Sequence, residues 1–140
     1  MANMTDYLEV EVRKHIFRTG SFTKPAALYV GLWTDAATIV DASTGSTANE
    51  ATGGSYARAQ LDPLDANWTG ASATDGLTDN AGDLAFTTAT ASWGTIRYAM
   101  VCDASTAGNA LVWVQLDADK VVGSGDTFKF AAGAFNVTFA

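Results

Sequence analysis

The sequence contains little that could carry out chemistry. Its 140 residues include one histidine, His15, and one cysteine, Cys102. A catalytic histidine needs an acid, a base or a nucleophile within reach, and its neighbours Lys14 and Ile16 supply none. A single cysteine excludes an internal disulfide framework, and the apolar run 98–102 predicts that this thiol is a buried small hydrophobe. We therefore expect no catalytic residue, no metal and no cofactor.

Positive charge is also scarce. Eight Lys and Arg residues oppose fifteen Asp and Glu residues, which gives a net charge of −7, and the only basic cluster is Arg13, Lys14 and Arg18. A nucleic-acid-binding protein needs a positive face, so we expect no direct nucleic-acid binding. Charged residues make up only 16% of the chain, and small residues replace them. Such a surface suits close protein–protein contact, although a simple compositional bias would explain it as well.

Long apolar runs are missing too. No segment approaches the roughly 20 apolar residues that span a bilayer, so no membrane attachment is expected. Residues 1–20 mix both charges and do not resemble a cleaved signal peptide. The length predicts a single domain, 1–140, and an apolar content of 48% is enough for a core.

One amphipathic helix is predicted at the front, over about residues 5–19, with Thr5 as its N-cap. Met4, Leu8, Val12 and Ile16 recur every four residues and form an apolar stripe. A helix this short is not stable alone in water. The stripe must therefore dock on its own domain, which we prefer, or on a neighbouring subunit, in which case these four residues are candidate interface residues.

The remainder alternates between short β-type runs and turns rich in Gly, Ser, Thr and Asp. Two long polar loops are expected, at about 34–55 and 62–82, where little can be buried. The segments 95–102 and 110–116, joined by the turn 103–109, are the safest antiparallel pair. The spacing predicts a mainly β fold, an antiparallel β-sandwich of about 7–8 strands with one N-terminal amphipathic α-helix.

Tryptophan is the remaining candidate for ligand binding. Trp33, Trp68, Trp93 and Trp113 could stack on sugar rings if they were exposed and coplanar. Three of them lie in or beside strand-like runs, so core packing is the preferred interpretation. Trp68 lies in the second long loop, where we expect it to pin the loop to the core, and it is the one candidate for a binding surface.

Several segments, in this order and spacing, resemble a family of small tailed-bacteriophage virion proteins often described as tail-fibre-like. The segments are MANMTDYL at 1–8, PAALYVGLW at 25–33, GGSYAR at 53–58, FTTATASWG at 86–94 and GDTFKFAAG at 125–133. Some members, or proteins similar to them in size and fold, serve as capsid cement (decoration) proteins. The resemblance implies a virion protein without catalytic residues, made in the host cytoplasm.

Of the functions that the resemblance allows, we prefer a capsid decoration protein that binds the major capsid protein from outside and forms a homotrimer. The helix or the segment before it, residues 1–5, and the loop at 34–55 are then expected to reach neighbouring subunits, with Tyr56 and Arg58 as lesser interface candidates. Two alternatives stay open: a tail-fibre-associated or tail-tip module, and a host-glycan-binding module that would need exposed tryptophan.

Overall fold

A computed structural model describes residues 2–70 and 76–138 of the chain. The one helix in these ranges is α1, Asp6–Phe17, and every strand pairing is antiparallel. The strands are β1 (Asn3–Met4), β2 (Tyr29–Thr34), β3 (Ala59–Gln60), β4 (Leu77–Asp79), β5 (Leu84–Ala85), β6 (Gly94–Cys102), β7 (Ala110–Val122), β8 (Lys129–Phe130) and β9 (Asn136–Thr138). The predicted mainly β class, with one N-terminal helix, is confirmed.

A five-stranded sheet in the order β1-β7-β6-β2-β3 forms the centre of the fold. Strands β6 and β7 are the pair predicted around the turn 103–109, and Met100 lies opposite Trp113 in their register. Two short ladders, β4-β9 and β5-β8, complete the strand pairing in the described ranges. Buried side chains of these ladders, such as Phe130 and Val137, share one core cluster with Val30 and Leu32 of the central sheet. This layering is consistent with the predicted sandwich.

Each face of the central sheet carries a buried cluster. Because side chains alternate along a strand, Val30 and Leu32 of β2 enter the main core, whereas Trp33 enters a second cluster on the opposite face. Ala37 and Ile39, from the loop predicted at 34–55, belong to that second cluster. The loop was expected to bury little and to reach neighbouring subunits. Ala37 and Ile39 instead cover a face of the protein's own sheet, whereas Val40 of the same loop is 49% exposed, and the contact of the loop with neighbouring subunits stays a prediction.

The helix begins where the sequence predicts. Thr5 is fully buried, and its hydroxyl accepts a hydrogen bond from the Leu8 N–H at 3.4 Å and donates to the carbonyl of Ala110. The Thr5 N–H donates to the carbonyl of Leu111 at 2.9 Å. These bonds fix the helix start against β7. The helix ends at Phe17, two residues before the predicted end, and Arg18 caps it through the carbonyl of Lys14 at 3.1 Å.

The second predicted loop, at 62–82, contains more structure than its polar sequence indicates. Its end forms β4, and Trp68 makes an isolated bridge with Asn80. Residues 71–75 of this loop lie outside the described ranges, as does Phe139. Four apolar residues near the C-terminus are buried: Phe128, Phe130, Phe135 and Val137.

Replacing Thr5 with Val should remove both the helix cap and the bond to β7 while keeping the side-chain shape. We expect Thr5→Val to lower the free energy of unfolding by about 1–2 kcal/mol. Thr19→Val, at an exposed position, is the matched control and should change little. Chemical denaturation of the three proteins measures the difference. Equal midpoints for the two variants would contradict this account of the helix start.

Cys102 should make stability depend on alkaline pH. Burial raises the pKa of its thiol to about 12 from an ordinary value of 9.0. A folded-state pKa above the unfolded one favours the protonated native state, so this stability is complete below about pH 9 and is lost as the pH rises towards 12. Unfolding measured across this range should show a steeper alkaline loss for the native sequence than for Cys102→Ala. Parallel curves would be the opposing result.

Candidate docking site

The largest exposed apolar side chains include two neighbours at the end of α1. Ile16 is 61% exposed and Phe17 is 78% exposed. From Arg13 to Lys24 every residue is exposed except Phe22, which is partly buried against the main core. We call residues 13–24 the basic arm. It is a helix end and a returning segment that extend beyond the packed body.

The charge of the basic arm is opposite to that of the rest of the protein. Arg13, Lys14, Arg18 and Lys24 are four of the eight Lys and Arg residues, and the arm contains no acid. Lys14 forms an exposed ion pair with Glu11 at 2.7 Å. Bases at a helix C-terminus are favourable because they face the negative end of the helix dipole. The remaining surface is strongly acidic, since the whole chain carries −7.

A short return fixes the shape of the arm. The Phe22 N–H donates to His15 Nδ1 at 3.2 Å, which requires that nitrogen to be unprotonated. Gly20 lies so close to the helix that an added Cβ would be 3.2 Å from Lys14 Cβ. His15 therefore has a structural role at the helix end, as its position in the sequence indicates.

The predicted apolar stripe is divided between two environments. Leu8 is 7% exposed, and Met4 and Val12 pack against the main core as partly buried residues. These three dock on the protein's own domain, which was the preferred alternative. Ile16 lies beyond the edge of that contact and belongs to the basic arm. The stripe thus leaves only its last member free for another chain.

Arg58, predicted as a lesser interface residue, is instead an internal one. It is 7% exposed, and all five of its guanidinium N–H groups have acceptors within the protein. Two bind the carboxylate of Glu50, at 2.7 and 2.8 Å, and the others bind the carbonyls of Gly45, Ala104 and Ala107. No guanidinium donor is left for a partner because the residue is enclosed by its own loops.

Tyr56 extends the same network. Its hydroxyl accepts from the Leu32 N–H at 2.9 Å and donates to Glu50 at 3.0 Å, and burial raises the pKa of Tyr56 above its ordinary value. The Arg58 guanidinium lies 5.4 Å from the ring centre of Trp33. Burial acts to lower the pKa of Arg58, but the hydrogen bond and charge of Glu50 raise it. We call Glu50, Tyr56 and Arg58 the buried polar network.

A close approach of two backbones completes this network. A Cβ on Gly45 would lie 1.9 Å from the carbonyl oxygen of Ala107, so only glycine fits there. The Gly45 N–H donates to the carbonyl of Gly108 at 3.1 Å. The loop at 34–55 and the turn at 103–109 are therefore held together beside the guanidinium.

Trp68 lies at the rim of a small apolar pocket, about 230 Å³ in volume. Its ring packs edge-on against Phe135, which confirms that it joins the loop to the core. Its indole Nε1 is buried and has no acceptor among the described residues. We call this the Trp68 pocket; its lining is Leu8, Leu28, Pro63, Trp68, Thr78, Val101, Leu111, Val112 and Val137.

The other tryptophans do not form an exposed stacking surface. Trp33 is 0% exposed and Trp93 is 3% exposed. Trp113 is partly buried, and its indole N–H donates to Asp41 at 2.9 Å. Full burial of two of the four rings weighs against a glycan platform built from coplanar tryptophans.

A second concave surface lies beside β7. Among the described residues, β1 pairs with Val112 and Trp113 of this strand, and no described strand pairs with the same edge of the segment beyond them. The groove beside it has a volume of about 730 Å³, and its charges are mixed, with Asp117 and Asp126 beside Lys120 and Lys129.

Within residues 2–70 and 76–138, no three His, Cys, Asp or Glu side chains converge as a set of metal ligands. No helix in these ranges is long and apolar enough to cross a bilayer.

A protein-family model described as podophage GP4 fiber I protein gp80 matches residues 3–138. The chain belongs to this phage fiber protein family. The match covers nearly the whole chain and confirms the resemblance to tailed-phage virion proteins. Membership in the fiber protein family implies a structural component of the virion. A search of curated proteins finds no match.

For this fiber family member, the buried polar network and an exposed ion pair should respond very differently to the same substitution. Arg58→Met removes both guanidinium donors from Glu50, which keeps only the Tyr56 hydroxyl, and removes the guanidinium donors of three carbonyls, so we expect a loss of about 3–5 kcal/mol in the free energy of unfolding. Arg97→Met breaks only the exposed pair with Asp119 and should cost less than about 1 kcal/mol. Chemical denaturation measures both. Similar losses would contradict the role given to Arg58.

Proposed function

We propose that this protein is a non-enzymatic structural subunit of a podophage fibre, attached to a neighbouring virion chain through its basic arm. The observation that carries the proposal is the arm itself. It combines exposed Ile16 and Phe17 with unburied positive charge on an otherwise acidic protein. Contiguous apolar groups exposed to water are favourable targets for burial by a partner.

The composition of the arm is that of an interface centre. Aromatic residues and arginine are enriched in protein–protein interfaces, and Phe17 lines one open hollow at the helix end together with Arg13 and Arg18. The body behind the arm is held by the buried polar network and by a sheet with both faces covered. A stable body with a projecting apolar arm suits attachment rather than catalysis.

A second candidate is the capsid decoration protein predicted from the sequence, bound to the major capsid protein as a homotrimer. The observation that favours it is the small β body: the sequence contains no internal repeat of the kind that builds long fibres. A weak contact per subunit becomes strong when many copies bind one particle. Both candidates use the same docking mechanism and differ in the partner.

Incorporation into particles tests the docking mechanism. A phage lacking this gene would be complemented with the native sequence, with Phe17→Ser or with Val121→Ser, and the protein would be quantified in purified virions. Val121 is another exposed apolar residue, 73% exposed, and it lies in β7, outside the basic arm. It therefore serves as the matched control. We expect Phe17→Ser to be depleted at least several-fold while Val121→Ser incorporates normally. Equal incorporation of all three would refute the role of the arm.

Copy number and position distinguish the two candidates. Densitometry of intact particles should find few copies for a fibre subunit and many more for a protein that covers the capsid. Labelling with an antibody would place the fibre subunit at the tail or fibre attachment site. Uniform labelling of the head would instead establish the decoration function.

A further inference from the structure

The basic arm and the Trp68 pocket are complementary surfaces, and they are too far apart to meet within one molecule. We propose that the arm tip, Ile16 and Phe17, of one copy occupies the Trp68 pocket of a second copy. This inference deepens the proposed function, because it names the docking partner of the basic arm as another molecule of the same protein.

Shape and polarity match between the two surfaces. The Trp68 pocket is lined almost entirely by apolar side chains, and its volume of about 230 Å³ is suited to one large apolar side chain such as Phe17. Leu64, next to the lining residue Pro63, is 57% exposed and would widen the apolar contact around the pocket. Burial of these groups supplies the driving force for association.

Charge complementarity supports the same pairing. The arm carries four bases and no acid, whereas the sequence between Arg58 and Arg97 contains no Lys or Arg. Asp62, Asp65 and Asp79 lie in that segment close to the lining residues Pro63 and Thr78. Within the described ranges, none of these three aspartates forms an ion pair. A basic tip would therefore approach an acidic pocket rim, which favours association and orients it.

The same molecule cannot make this contact with itself. Leu8 lines the pocket and Phe17 lies nine positions farther along the same helix, which is about 13 Å at 1.5 Å per residue. A rigid helix therefore holds its own tip away from its own pocket. If the arm tip of each of two copies binds the pocket of the other, the result is a symmetric dimer. If each arm tip binds the next copy in turn, the result is a ring such as a trimer.

Sedimentation of the purified full-length chain over a range of concentrations tests the proposal. We expect reversible self-association that weakens as salt is raised, because exposed charges contribute. Phe17→Ser should weaken association about tenfold or more. Leu64→Ser changes an exposed side chain beside the pocket, leaves the core packing of Trp68 in place, and should weaken association about threefold to tenfold. Val121→Ser, a substitution of another exposed apolar residue, is the control and should associate like the native protein.

Two results would overturn the inference: a native chain that stays monomeric at all concentrations, or association that neither Phe17→Ser nor Leu64→Ser affects. These results are distinct from failure of the proposed function. If the native chain is monomeric but the arm variants are still excluded from virions, the arm is a docking site and its partner is a different virion protein. If the chain self-associates but the arm variants enter virions normally, the pocket contact stands and the arm does not attach the protein to the virion.

Discussion

The guanidinium of Arg58 is the constraint on which the rest of the fold depends. A charged group enclosed by protein is unfavourable unless every donor is satisfied, and here all five are. Its acceptors come from the loop at 34–55 and from the turn at 103–109, so both are held beside the central sheet. The loop can then deliver Ala37 and Ile39 to the second face of that sheet. Removing the charge would therefore free the loop that covers this face of the sheet, in addition to breaking the ion pair.

Two large exposed apolar side chains, Ile16 and Phe17, lie next to each other in sequence at the helix end of this body. Thr5 fixes the helix start against β7, and Leu8 and Val12 pack on the core, so the following residues project in a defined direction. The helix is thus both part of the core and the base of the arm. This arrangement explains how a chain with one histidine and one cysteine can have a specific function, since recognition needs surfaces rather than reactive groups.

Local sequence patterns predicted those features that depend on near neighbours. The N-cap Thr5, the four-residue stripe and the β6–β7 pairing all follow from short-range periodicity, and each was found in place. The resemblance of five segments led to the correct family. The sequence pattern also contains a residue of the arm tip, because Ile16 is the last member of the apolar stripe. The helix is too short to bury the whole length of that stripe.

Long-range contacts could not be predicted in the same way. From the sequence alone, Arg58 is expected to be an exposed base in a short strand. Nothing nearby in sequence indicates that Gly45 and Ala107 will enclose it. The loop at 34–55 looks polar because few of its residues are large and apolar, yet Ala37 and Ile39 join Trp33 in one buried cluster. The Trp68 pocket draws its lining from segments as distant as Leu8 and Val137. Only the folded chain brings such residues together.

The most direct measurement is a particle reconstruction that resolves this chain beside its neighbours. If the protein works by docking through its basic arm, residues 13–24 will lie against another chain, with Phe17 buried in the contact. A reconstruction in which the arm points into solvent while another surface, such as the groove beside β7, makes the attachment would contradict the account.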